Sequence, residues 1–256
     1  MAEFGQKIGT VVDTSIYPVV GMAGISLPEG ITARKHSVGK DRFVMLTKDG
    51  VNKDGDPVQV GIHTFDEPRL LLYQPRLENP EDLKNSRIIV LTPEGKEYRA
   101  TEEALLAELS ERLEYKVTLA PEIGKTFNYS ALISAISNQS VDALSDRLGG
   151  YALDPRRMRM NAVFDWDQDP LPEEVNKEQF LVGKQIKIGE NGVIIYGWEG
   201  ATRCRTVNSY VHEGKLTYRS EVFAGIPLSE GAPRLGLYAS INEGGLIRPG
   251  DNIFLA

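Results

Sequence analysis

Only two segments of this 256-residue chain carry helical periodicity; the rest reads as short strands broken by Gly, Asp and Pro turns. That imbalance excludes a (β/α)8 barrel, which needs a helix after each of eight strands. The first helix is predicted after Thr101, with Glu102 and Glu103 in its first turn and Leu105, Leu106, Leu109 and Leu113 as its apolar stripe. The second is predicted to start around Ser137 to Ser140, to place Val141, Leu144 and Leu148 on one face, and to stop at Gly149-Gly150. Strand-type runs cover 10–12, 41–46, 58–62, 69–73, 87–91 and 117–119, then 185–188, 192–196, 235–241 and 252–255. Asn191-Gly192 marks a hairpin turn, and the Pro- and charge-rich stretch 165–178 reads as a long surface loop. The predicted class is α+β and β-rich, a barrel or sandwich with a seam near 95–125.

Composition narrows the function classes. Hydrophobic residues at 41% give ample material for a core, and a net charge of −7 repels a phosphate backbone, so no nucleic-acid partner is expected. No run approaches the ~20 apolar residues of a membrane span, and the first twenty residues lack the apolar core of a signal peptide. With one free cysteine, these features predict a cytoplasmic protein with no membrane partner. Nucleotide-binding loops of the G-x-x-x-x-G-K-[ST] and G-x-G-x-x-G kinds are missing, as are G-x-S-x-G and H-E-x-x-H. His36, His63 and His212 are scattered, with no spacing that pairs two of them on a metal. The acids of 165–178 lack the pattern of a calcium loop.

Two stretches carry chemistry. Cys204 is the sole cysteine and sits between Arg203 and Arg205, so it can form neither a disulfide within the chain nor a CxxC site. Flanking cations favour the thiolate, the form that acts as nucleophile and metal ligand. It therefore reads as a buried packing residue, a one-sulfur metal ligand, a persulfide carrier or a nucleophile. The other stretch runs from Asp154 to Phe164. Read as a strand, it puts Arg157, Arg159 and Asn161 on one face, a set suited to a phosphate, with Met158, Met160 and Ala162 on the other.

Taken together these stretches resemble the MOSC family, named for the C-terminal domain of molybdenum-cofactor sulfurase. Its R-x-R-x-N element reads here as Arg157 to Asn161, and its R-C pair as Arg203-Cys204. An apolar strand leading into a Ser-x-x-Ser helix start is similar to 132–144, and the closing strands to 235–239 and 244–253. The first part resembles the β-barrel domain that precedes MOSC in many members, through Tyr17-Pro18-Val19-Val20-Gly21 and Gly39-Lys40-Asp41-Arg42. Val20-Gly21 stands where many members have Lys-Ser.

The resemblance implies a MOSC-type β-barrel domain over 101–256, packed with a smaller barrel-like domain over 1–100. It implies a molybdenum cofactor (molybdopterin), with Cys204 as metal ligand and catalytic residue. Arg42, Ser137, Asn138, Ser140, Arg157, Arg159, Asn161 and Arg203 would hold the cofactor's phosphate and pterin. The implied reaction is oxo transfer from N-hydroxylated or N-oxide-type small molecules, with electrons from a separate reductase because no iron–sulfur motif is present. Two alternatives stay open: a persulfide carrier built on Cys204, and a non-catalytic module binding a phosphate-bearing ligand.

Overall fold

A computed structural model describes residues 5–35, 37–120, 133–190 and 192–255. Seven strands close a barrel, numbered here β1 (Gln6–Ile16), β2 (Ile133–Ser137), β3 (Ala162–Trp166), β4 (Gln185–Ile188), β5 (Val193–Thr202), β6 (Ala232–Glu243) and β7 (Asn252–Leu255). The order around the wall is β2-β3-β1-β7-β4-β5-β6, and β6 pairs back to β2. Every pairing is antiparallel except β2–β3, where Ala135 faces Ala162. Closure leaves no free edge along this wall, which removes the aggregation hazard of an open sheet. Alternation along the strands fills the interior with Val11, Phe164, Ile186, Ile195, Leu237 and Ile253, all buried.

Two α-helices match the sequence reading. Helix α1 (Glu103–Leu113) buries Leu105, Leu109 and Leu113, but it starts after Glu102 with no side-chain cap, not after a Thr101 cap. Helix α2 (Asn138–Arg147) starts at Ser137, whose hydroxyl accepts from the Ser140 N–H, and buries Val141 and Leu144. A third, short helix, α3 (Ser220–Gly225), adds Val222 to the cluster that α2 forms with Met158, Met160, Val207 and Leu235 outside the barrel. Three smaller sheets carry 46–51, 57–61 and 117–119; 74–77, 88–91 and 97–99; and 31–34, 37–38 and 245–247. The fold is thus α+β and strand-rich. β1 takes its place in the barrel from the start of the chain, and one hydrophobic cluster runs from Ile8 through Leu46, Leu70 and Val90 to Ile253. No helix among the described residues is long and apolar enough to cross a membrane.

Several expectations are corrected. Residues 69–73 form a 3-10 turn (Pro68–Leu72), because Pro68 fixes the first turn. The run 41–46 is mostly loop, with Lys40 and Arg42 in left-handed conformation, and the strand begins at Leu46. Arg157-to-Asn161 is not a strand. Asp154 accepts from the Arg156 N–H, Pro155 opens a 3-10 turn (Pro155–Met158), and Arg159 ends it at φ 53°. The strand starts only at Ala162. The loop after β3 is exposed at first but ends buried, with Asn176, Lys177 and Glu178 inside the protein. Asn191 of the predicted hairpin turn, His36, and 121–125 of the predicted seam lie outside the described residues.

Asn161 ties barrel strands together. Its Oδ1 accepts from Ser134 N and Oγ at 3.1 and 3.0 Å, and its Nδ2 donates to Ser15 O at 3.3 Å. Removing three buried hydrogen bonds at ~1 kcal/mol each, Asn161→Ala is expected to lower the unfolding free energy by about 2–3 kcal/mol. Urea denaturation reads this directly; a midpoint equal to wild type would refute it.

Candidate functional site

β5 ends at Thr202, and the Arg203 N–H then bonds Pro233 O, so the chain leaves the barrel wall at Cys204. Cys204 precedes a 3-10 turn (Arg205–Asn208), and its thiol is exposed, donating to Thr206 Oγ1 at 3.1 Å. It opens into a cleft of about 410 Å³ together with Arg42, Arg159, Arg203, His63, Phe65 and Tyr238. The packing alternative for this cysteine is overturned by its exposure.

The two arginines beside Cys204 part company. Arg205 is exposed and does not line the cleft. Arg203 turns inward, where Nη2 donates to Met158 O and Nη1 approaches Met160 Sδ at 3.6 Å. Its Nε is buried with no partner, and burial pushes its pKa down. Arg159 lays its guanidinium on the Tyr17 ring, 4.4 Å from the centroid, and donates to Met22 O at 2.7 Å. Burial lowers its pKa as well, against the opposing pull of Tyr17. Arg42 comes from the left-handed turn at φ 47° and has only Asp41, at 4.0 Å, as an acidic neighbour within ion-pair reach among the described residues. Asp41 is itself engaged by the Tyr17 N–H at 2.7 Å. The cleft is therefore a concentration of positive charge in an acidic protein, with one sulfur at its rim. It suits a polyanion able to use a thiolate.

Val20 and Gly21 line the same cleft, giving it an apolar side chain and bare backbone where the resemblance led one to expect Lys-Ser. Gly21 holds φ 91°, and a Cβ there would come within 2.9 Å of Leu70 Cδ1, so no side chain is easily restored. Sequence reasoning did not find His63 or Phe65. Their rings stack at 5.4 Å on a loop far from Cys204 in sequence, and no spacing signals that approach. Burial holds the His63 pKa below its ordinary value, which favours the neutral imidazole.

Five of the predicted cofactor residues are not in this cleft. Ser137 and Ser140 are fully buried and bind the carboxylate of Glu178: Ser137 N and Oγ at 2.9 and 2.5 Å, Ser140 Oγ at 2.7 Å. The α2 N-terminus is thus already occupied by a carboxyl group supplied by the chain. Asn138 bonds Asp165 at 2.9 Å, and Asn161 serves the strand contacts described above. Arg157 lies on the far side of Arg159, with Nη1 donating to Val207 O and Asn208 O. Arg42, Arg159, Arg203 and Cys204 are brought together. No cluster of three His, Cys, Asp or Glu side chains able to hold a metal ion occurs among the described residues.

The model of the MOSC domain matches residues 114–254, more than half of the chain. The chain belongs to the MOSC-domain family. This family is associated with molybdenum-cofactor binding. None of the curated proteins matches in sequence. Among solved structures, this MOSC protein is similar to the YuaD protein from Bacillus subtilis, with a TM-score of 0.48 and 10% identity over 98% of this chain and 97% of that one. It is also similar to YiiM from Geobacillus stearothermophilus, with a TM-score of 0.34 and 12% identity over 49% of this chain and 54% of that one.

Proposed function

We propose that the Cys204 cleft holds a molybdenum cofactor and that the protein reduces N-hydroxylated or N-oxide-type small molecules. The observation that carries this reading is the exposed thiol in one cleft with three guanidiniums, one of them with a buried Nε lacking any partner. The residues fit the group: a soft thiolate suits molybdenum, and guanidiniums suit a terminal phosphate. Cys204 would be the ligand, and Arg42, Arg159 and Arg203 would hold the anionic part. When bound, the cofactor supplies two-electron oxo transfer, by which R–NHOH, two electrons and two protons give R–NH2 and water. The chain's own contribution is to position and to balance charge. Thr206 Oγ1, at 3.1 Å, can turn to donate to a Cys204 thiolate, and neutral His63 and Phe65 wall the cleft. With a single cysteine and hence no iron–sulfur site, electrons would come from a separate reductase.

The test is oxidation of a reduced viologen dye by anaerobically purified, molybdenum-loaded protein given an amidoxime. Dye oxidation is expected in wild type and a loss of at least about 100-fold in Cys204→Ala, since changing even the outer-shell partners of a metal ligand costs about 10–100-fold. Equal turnover in both proteins, or none in the loaded wild type, would overturn the reading. A second reading, a persulfide carrier, is favoured by Val20-Gly21, which brings no cation to the cleft. It predicts metal-free protein carrying one extra sulfur on Cys204 in intact-mass spectra.

A further inference from the structure

On the other side of Arg159 lies a second cleft, of about 350 Å³, with no cysteine in it. Arg157 forms part of its lining and is only 3% exposed. The Arg157 Nη1 donates to Val207 O and Asn208 O at 3.0 and 3.2 Å, and its Nε is buried without a partner. Neighbouring Arg156 shows the contrast: it is clamped to Asp154, with Nε 3.0 Å from Oδ1. Asp154 also accepts from the Tyr210 hydroxyl, so this acid is spent on other partners. Among the described residues, no carboxylate lies within ion-pair distance of Arg157 or Arg159, while the other cationic residue of the cleft has one. A buried guanidinium without a counter-ion is costly, and an anion entering the cleft would offset that cost.

The rest of the wall selects the body of the ligand. The Arg157 guanidinium stands 5.0 Å from the Tyr210 ring centroid, and Arg159 stands 4.4 Å from that of Tyr17. Each cation is thus held against an aromatic ring of the lining. Ile25, Leu71, Pro75 and Val211 add an apolar patch, beside the polar side chains of Ser15, Ser26, Gln74 and Ser209. Gly24 lets the Tyr17 ring pack against bare backbone, since a Cβ there would stand 2.5 Å from that ring. The volume is at the small end of the roughly 300–1,000 Å³ of ligand pockets.

We propose that this second cleft binds a small organic oxyanion, its carboxylate or phosphate head on Arg157 and Arg159 and a compact apolar body against Ile25, Leu71 and Val211. The site is separate from the Cys204 cleft but shares Arg159 with it. It does not depend on Cys204 or on any metal, so its failure and that of the cofactor reading are distinguishable.

Calorimetric titration with benzoate, phenyl phosphate and neutral benzamide tests it, on wild type, Cys204→Ala, Arg42→Gln, Arg157→Met and Val211→Phe. Saturable binding of benzoate or phenyl phosphate is expected, with benzamide about tenfold weaker or worse, as loss of a charge-assisted hydrogen bond implies. Which of the two binds more tightly tells a carboxylate head from a phosphate head. Arg157→Met and Val211→Phe are expected to weaken binding by about tenfold or more, while Cys204→Ala and Arg42→Gln retain it. Val211→Phe fills the cleft and leaves Arg157 in place, so it decides the matter should Arg157→Met fail to fold. No saturable binding, benzamide binding as tightly as benzoate, or unchanged binding in Val211→Phe would overturn the proposal. So would loss in Arg42→Gln with retention in Val211→Phe, which would put the anion in the cysteine cleft.

Discussion

Replacing Glu178 with leucine is expected to destabilise the fold by about 3–5 kcal/mol, the largest stability effect anticipated for a single substitution in this protein. Its carboxylate is the acceptor for the Ser137 N–H and for both serine hydroxyls, all of them buried. Those hydroxyls in turn accept from Ser140 N at 3.1 Å and Lys177 N at 2.9 Å. Leucine would leave the donors at the α2 N-terminus unpaired in a site that water does not reach. Chemical denaturation checks this, and a loss below about 1 kcal/mol would contradict it.

The same residue gives a pH signature. Burial raises the Glu178 pKa above its ordinary value, against the lowering effect of the serine donors. Between the unfolded and the raised folded pKa, the folded state binds more protons. The contribution of Glu178 to stability therefore falls as pH rises through the range above 4.5, and is greatest below it. The stability of wild type relative to Glu178→Gln should decline over that range; a difference independent of pH would refute the assignment.

The second large effect concerns Arg159. Arg159→Met keeps the aliphatic stem over Tyr17 but removes a cation that the Cys204 cleft shares with no carboxylate among the described residues. Charge-assisted hydrogen bonds contribute about 1.5–3 kcal/mol each, so cofactor retention is expected to fall by at least about tenfold. Molybdenum remaining after extended dialysis, compared with wild type, reads the change. Equal retention in the two proteins would show that Arg159 holds no part of the cofactor.

What the sequence reveals here follows local physics. The strands at 185–188 and 252–255 were legible because alternation and flanking turns are local signals, and so was the start of α2 around Ser137 to Ser140. The arginine stretch misleads for a local reason too: Pro155 and the Asp154 cap outweigh the period-2 pattern and fold 155–158 as a turn. Even so, Arg42, Arg159, Arg203 and Cys204 line one cleft. The occupant of the α2 N-terminus was not legible. Glu178 is supplied 38 to 41 residues downstream, from a stretch that reads as solvated loop. His63 and Phe65 reach the cleft through tertiary packing alone, for which a single sequence carries no signal.

The proposed role of Cys204 is that of a metal ligand in a cationic cofactor cleft. Elemental analysis for molybdenum tests it most directly, on wild type and Cys204→Ala purified anaerobically from a host that makes the cofactor. Near-stoichiometric molybdenum is expected in wild type, and its loss in the variant with the fold intact. Wild-type protein without molybdenum, or a variant that keeps it, would rule out Cys204 as the ligand.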